Sequence, residues 1–253
     1  MLPALLLLAT ITLPSPQTIP TAFNGHPGAF VEIECATGAQ FQSNPAACSE
    51  KLAPCSTFKI WNSAVGLETG VVTDPDSLFW KWDRQKRWLE DWNKDQTLRS
   101  AFAASCVPAY QNLARKIGSE RMQHWLDLIH YGDRNISSGI DVFWLPAPDR
   151  KPLLITPREQ AELVAQLVER KFPFSPHTLA VLKSIMQVKK TDRGTLYGKT
   201  GTAGEKYNYG WFVGYVESRG QTYSFACLLK GKGITGKDAR ASVESILTAQ
   251  GVL

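Results

Sequence analysis

Three segments near the C-terminus, TLYGKTGTA, YGWFVGYVES and TYSFACLLKG, alternate and carry aromatic residues, which predicts three consecutive strands. SRGQ between the last two reads as a hairpin turn. Two more short strands are predicted at the other end of the chain, in GAFVEIECATGAQFQ, turning at Thr37 and Gly38. Residues 97–190 between them read as mainly helical, through TLRSAFAASCVPAYQNLARKIG, SERMQHWLDLIHYG, TPREQAELVAQLVERKF and HTLAVLKSIMQV. Thr156 before Pro157 is a helix-entry pair, and KDARASVESILTAQG closes the chain as a helix ending at Gly251. Strands at both ends with helices between them predict an α/β fold: a central antiparallel sheet formed from both termini, flanked by helices, with an inserted helical region.

A chain of 253 residues with 43% hydrophobic and 10% aromatic content can bury a sizeable core, which excludes a disordered chain. The net charge of +5 comes from scattered Lys and Arg rather than a basic run, so nucleic acid is not an expected partner. Four dispersed His, with no CxxC and no HExxH, give no metal site. The apolar run at residues 2–13 has the length of a signal-peptide core and is too short to span a bilayer. It lacks the usual basic residue before it and a clear cleavage site after it, and a buried first helix or strand is the competing reading. We therefore expect a signal peptide over residues 1–20 and a single catalytic domain over 21–253 with a helical subdomain at about 75–190. No membrane span is expected once the signal is removed. Of the five cysteines, Cys48 and Cys55 flank the polar loop CSEKLAPC and form a candidate disulfide, with Cys35 as a second candidate partner. Cys106 and Cys227 sit in apolar surroundings and read as buried free thiols.

A serine hydroxyl is a weak nucleophile until a neighbouring base takes its proton. Ser56 and Lys59 form an S-x-x-K pattern at the start of the helical segment STFKIWNSAVGLETG, which puts both side chains on one face, one turn apart. An N-capping serine followed by a surface lysine gives the same pattern. Two features separate the readings: an apolar helix face follows Lys59, and Lys199, Thr200 and Gly201 form a K-T-G inside a predicted strand. Lys199 and Thr200 offer a cation and a hydroxyl to a carboxylate, and Gly201 lets another backbone or a ligand approach. S-x-x-K combined with K-T-G is the signature of serine β-lactamases and penicillin-binding proteins.

PCSTFKIWNSAVGLETG, WNKDQTLRSAF, SCVPAYQNLARKIG, YGDRNISSGIDVFWL, LITPREQ and LYGKTGTA, in that order, resemble the class D (OXA-type) serine β-lactamases, from about residue 28 to the C-terminus. The resemblance implies a serine β-lactamase/penicillin-binding-like fold and a small-molecule β-lactam as substrate, in a periplasmic or secreted enzyme. It makes Ser56 the acylated nucleophile and Lys59 a lysine carboxylated by CO2 to a carbamate, with no separate cofactor. Phe58, Val107, Trp144 and Leu145 would desolvate that lysine, and only a neutral amine attacks CO2. Trp144 matches the tryptophan whose indole N–H holds the carbamate. Ser105, in the S-x-V motif with Cys106 and Val107, would relay a proton to the leaving nitrogen beside Lys199. The backbone N–H groups of Ser56 and Thr202 match the oxyanion hole, and Arg240, helped by Thr200, matches the arginine that binds the substrate carboxylate.

One position departs from the family: its usual Y-G-N is Tyr131, Gly132 and Asp133 here. Asp keeps an acceptor, loses the amide donors and adds a charge. Facing the site, that charge would alter substrate choice or the lysine; facing away, it would be silent. Two other activities share the motifs: a penicillin-sensing domain that is acylated without turnover, and a cell-wall transpeptidase or carboxypeptidase.

Overall fold

The computed structural model describes residues 13, 14, 17–204 and 206–253. Residues 1–12, which hold most of the expected signal peptide, lie outside these, and the expected boundary at residue 20 falls within the first helix, α1 (Thr18–Ala22). The elements then follow as β1 (Gly28–Glu34), β2 (Gln40–Gln42), α2 (Pro45–Cys48), a 3-10 turn (Cys55–Phe58), α3 (Lys59–Glu68) and β3 (Leu78–Trp80). A short 3-10 turn (Glu90–Trp92) precedes β4 (Gln96–Thr97), α4 (Leu98–Ala103), α5 (Val107–Ile117), α6 (Ser119–Leu128), α7 (Pro157–Val168) and α8 (Pro176–Met186). The last part is β5 (Gln187–Lys190), β6 (Gly194–Thr202), β7 (Tyr209–Ser218), β8 (Gln221–Lys230) and α9 (Gly236–Ala249).

The sheet has the order β2-β1-β8-β7-β6-β5, antiparallel throughout. Its N-terminal strand is seated beside the C-terminal hairpin, with Phe30 opposite Cys227 and Glu32 opposite Phe225. The fold is thus the α/β architecture expected, a sheet drawn from both ends of the chain. β7 and β8 are buried over nearly their whole length because helices cover both faces, which explains their near-continuous apolar runs. One apolar layer, under α1 and α9, contains Ile19, Phe23, Phe212, Phe225, Val243 and Ile246. The other joins the opposite face to the helical region through Trp61, Tyr110, Trp144, Val164 and Trp211. Glu32 is buried within β1, where Gln250 Nε2 donates to its Oε2 at 2.8 Å. With few other partners there, burial raises its pKa to about 7.

Sequence periodicity and structure part in three places. The helical reading that ran to residue 190 stops at Met186, and Gln187–Lys190 pair with β6 as the edge strand. The segment from TLRSAF to RKIG is two helices, because Ser105 takes a left-handed conformation (φ 52°) and Pro108 in the next turn has no N–H to continue the first. The helical reading that began at residue 97 also starts too early, since Thr97 pairs with Leu78 and β3 and β4 form a small ribbon.

The disulfide expected between Cys48 and Cys55 is not formed; all five cysteines are free and buried. The two thiols turn to different elements. Cys48 Sγ lies 3.7 Å from the Phe30 carbonyl oxygen, whereas Cys55 Sγ lies 3.6 Å from that of Ala53 and 3.7 Å from the Tyr209 hydroxyl. Burial pushes the Cys55 thiol up to about 12, so it stays protonated.

Candidate active site

Residues 53–67 are buried with one exception, Ser56, which is half-exposed. The 3-10 turn that carries it is held at several points. Cys55 has a left-handed backbone (φ 52°), its N–H donates to the Trp144 carbonyl at 3.0 Å, and Thr57 Oγ1 donates to the Pro54 carbonyl at 2.7 Å. A strained backbone conformation is kept only where its surroundings over-determine it, and these bonds do so.

Lys59 opens α3, and its Nζ donates to Ser56 Oγ at 2.8 Å. The side chain is fully buried, with Nζ 5.1 Å from the centre of the Tyr110 ring and no carboxylate paired with it among the described residues. Burial, reinforced by the charge of Lys199, drives its pKa well below the ordinary lysine value. As a neutral amine, the same nitrogen can take the Ser56 proton.

Lys199, also buried, is lowered by desolvation to about 7. Its Nζ donates to the Thr200 carbonyl at 3.1 Å and to Thr200 Oγ1 at 3.3 Å, 5.7 Å from the centre of the Phe102 ring. The K-T-G strand is packed on both sides. A Cβ on Gly201 would lie 3.0 Å from the Pro54 carbonyl oxygen and 3.2 Å from Thr57 N, so β6 runs directly against the turn that carries Ser56. On the other side, a Cβ on Gly236 would lie 2.7 Å from the Gly201 carbonyl oxygen, and Gly236 N–H donates to Thr202 Oγ1 at 2.9 Å. Glycine at these two positions lets the turn, the strand and the start of α9 stack at backbone distance.

Arg240, on α9, lines a pocket of about 210 Å³ with Lys199, Thr200, Phe102 and Val188. It is already engaged: Nε donates to Glu244 Oε1 at 2.7 Å and Nη2 to the Val188 carbonyl at 3.2 Å. Ser105 is half-exposed in the turn between α4 and α5, which is anchored by the Trp92 indole N–H donating to the Ala104 carbonyl at 2.9 Å. The neighbouring Cys106 is near enough to Lys59 for the two to influence each other's ionisation. Val107 begins α5 and, like Leu145, is partly buried. Phe58 stacks on Trp144 (centroids 5.6 Å apart, planes at 23°), and the buried Trp144 Nε1 has no hydrogen-bond partner. An orphaned indole donor stacked on Phe58, the residue before the buried Lys59, fits an anionic group on that lysine.

Asp133 lies outside this cluster. It is exposed, and its Oδ1 accepts from Asn135 N at 3.2 Å and Leu154 N at 3.1 Å. Those roles need only an acceptor, which Asn supplies equally. Sequence reasoning overlooked Phe102, Tyr110 and Glu244, whose signal is spacing: the two aromatics lie one helical turn to either side of S-x-V, and Glu244 one turn after Arg240.

Comparison with known proteins agrees with this arrangement. The penicillin binding protein transpeptidase domain family matches residues 16–249. A probable β-lactamase of Bacillus subtilis, YbxI, is 34% identical over 229 residues, covering 90% of this chain and 84% of that protein. The crystal structure of a class D β-lactamase from Bacillus subtilis superposes with a TM-score of 0.87 at 34% identity, covering 93% of this chain and 96% of the other. The chain belongs to the class D β-lactamases. The fold reaches beyond lactamases: the C-terminal domain of the Bacillus licheniformis BlaR penicillin-receptor matches with a TM-score of 0.86 at 29% identity, over 93% and 95% of the two chains. The matched span, residues 16–249, contains the S-x-x-K, S-x-V and K-T-G motifs.

Proposed function

We propose that this class D β-lactamase hydrolyses β-lactams through an acyl-enzyme on Ser56, as an exported periplasmic or secreted protein that confers resistance. The observation that carries the reading is the 2.8 Å contact of Ser56 Oγ, half-exposed in an otherwise buried turn, with the buried Lys59 Nζ. Ser56 Oγ attacks the lactam carbonyl and gives up its proton toward Lys59; the C–N bond breaks, and Ser105 with Lys199 delivers a proton to the ring nitrogen. The N–H groups of Ser56 and Thr202 receive the oxyanion. Thr200 and Arg240 bind the substrate carboxylate. Water then cleaves the ester and frees Ser56.

Carboxylation of Lys59 by CO2 would supply an anionic base for both steps. Supporting it are the neutral amine that burial favours and the unpartnered Trp144 N–H, whose ring stacks on Phe58. The likeness to the BlaR domain favours one second reading, a site that is acylated and stays so. Purified protein mixed with a chromogenic cephalosporin, with and without bicarbonate, separates the two. Multiple turnovers stimulated by bicarbonate are expected. A single stoichiometric burst would establish the sensor reading instead, and turnover indifferent to bicarbonate and to Lys59→Ala would remove the carbamate.

A further inference from the structure

We propose that Glu244 is a positioning residue for the substrate carboxylate, acting through Arg240; the inference rests on the β-lactamase reading. Glu244 sits one turn beyond Arg240 on α9 and accepts from its Nε at 2.7 Å. Its other oxygen accepts from Lys189 Nζ, on the edge strand β5, at 2.8 Å. The neighbouring Val188 carbonyl takes Arg240 Nη2 at 3.2 Å. The guanidinium is thus fixed from two sides by one helix and one strand, and Nη1 is its single nitrogen without a partner among the described residues.

Charge bookkeeping explains why the clamp does not silence the arginine. A lone Arg–Glu pair would present no net charge to an anion. Lys189 supplies a second cation to the same carboxylate, so the three side chains together carry one positive charge. Both members of the Arg240–Glu244 pair are partly buried, at 35% and 24% side-chain exposure, so screening is weaker than at an open surface. The pocket that Arg240 shares with Lys199 and Thr200 therefore receives a carboxylate on a pre-oriented donor, whereas a free arginine side chain would have to be ordered when substrate binds.

The test compares Glu244→Ala and Glu244→Gln with the unaltered enzyme, alone and in an Arg240→Ala background, on a penicillin and on its methyl ester, which lacks the carboxylate. Glu244→Ala is expected to raise KM for the penicillin about tenfold with kcat little changed. Glu244→Gln, which keeps an acceptor for Arg240 Nε, should recover part of that loss. Neither change should alter kcat/KM for the ester, and neither should add to the effect of Arg240→Ala. An equal loss on penicillin and ester, a fall in kcat alone, or full additivity with Arg240→Ala would overturn the proposal. Absence of turnover by the unaltered enzyme would instead overturn the β-lactamase reading on which it rests.

Discussion

The Phe58 ring stacks on the Trp144 indole, 5.6 Å between centroids with the planes at 23°, and links the residue just before Lys59 to a buried N–H that has no partner. The stack makes the rigidity of the nucleophile turn and the environment of the lysine a single property. Changes to either ring should register in the chemistry of Lys59 rather than in folding alone.

Trp144→Phe keeps the stack and removes the N–H. Acylation by a chromogenic cephalosporin should persist while deacylation slows about 100-fold, leaving a burst of one equivalent followed by a slow phase. The bicarbonate concentration for half-maximal turnover should rise. Stopped-flow traces over a bicarbonate series would check both, and an unchanged steady-state rate would dismiss the indole donor.

The proposed carboxylation requires Lys59 to meet CO2 as the neutral amine. Its pKa is lowered by burial and by Lys199, so the neutral form persists at pH values where an ordinary lysine is charged. As pH falls toward that lowered value, protons compete with CO2, and more bicarbonate should be needed to restore full activity. The same titration on Lys59→Ala should be flat, with activity down by about 100-fold or more.

Gly201→Ala places a methyl group 3.0 Å from the Pro54 carbonyl oxygen and 3.2 Å from Thr57 N. Backbone on both sides has little room to yield, so β6 should shift off the Ser56 turn. A fall in kcat/KM of about 10–100-fold is expected with the protein still folded, because small misplacements in a site are costly. Circular dichroism beside steady-state kinetics separates this from unfolding.

Asp133→Asn should leave substrate profile and melting temperature unchanged, since Oδ1 remains to accept from Asn135 and Leu154. Asp133→Ala removes the acceptor and should lower Tm by about 2–4 °C. A profile altered by Asn would mean that the carboxylate charge reaches the site.

Glu32 couples stability to pH. Its carboxyl is raised from 4.5 to about 7 in the folded chain, so the folded state holds a proton that the unfolded state has released. That contribution is complete below about pH 4.5 and is lost as pH rises through 7, amounting to about 3 kcal/mol. Urea denaturation between pH 5 and 8 should show this decline, and Glu32→Gln should abolish it.

Much of this molecule was legible in the residues alone. β1, β6, β7 and β8 announced themselves by alternation and aromatic content, and the hairpin at Arg219 and Gly220 by turn chemistry. β5 escaped because QVKK continues an apolar helical pattern and becomes a strand only by pairing with β6. The proximity of Ser56, Lys59 and Lys199 followed from motifs whose chemistry demands it. The thiols of Cys48 and Cys55 did not meet because spacing along a loop says nothing about where side chains point. Glu244 was not singled out, since its partner Lys189 on β5 is brought near only by the sheet edge.

The pairing of β1 with β8 also sets an order of events during synthesis. β1 waits for its neighbour until almost the whole chain has been made, and the strand that flanks Ser56 comes nearly as late. Contacts of such sequence separation form slowly. A nascent chain lacking its last strands therefore leaves the Ser56 turn without the strand it packs against, and the sheet stays open until β8 has been made.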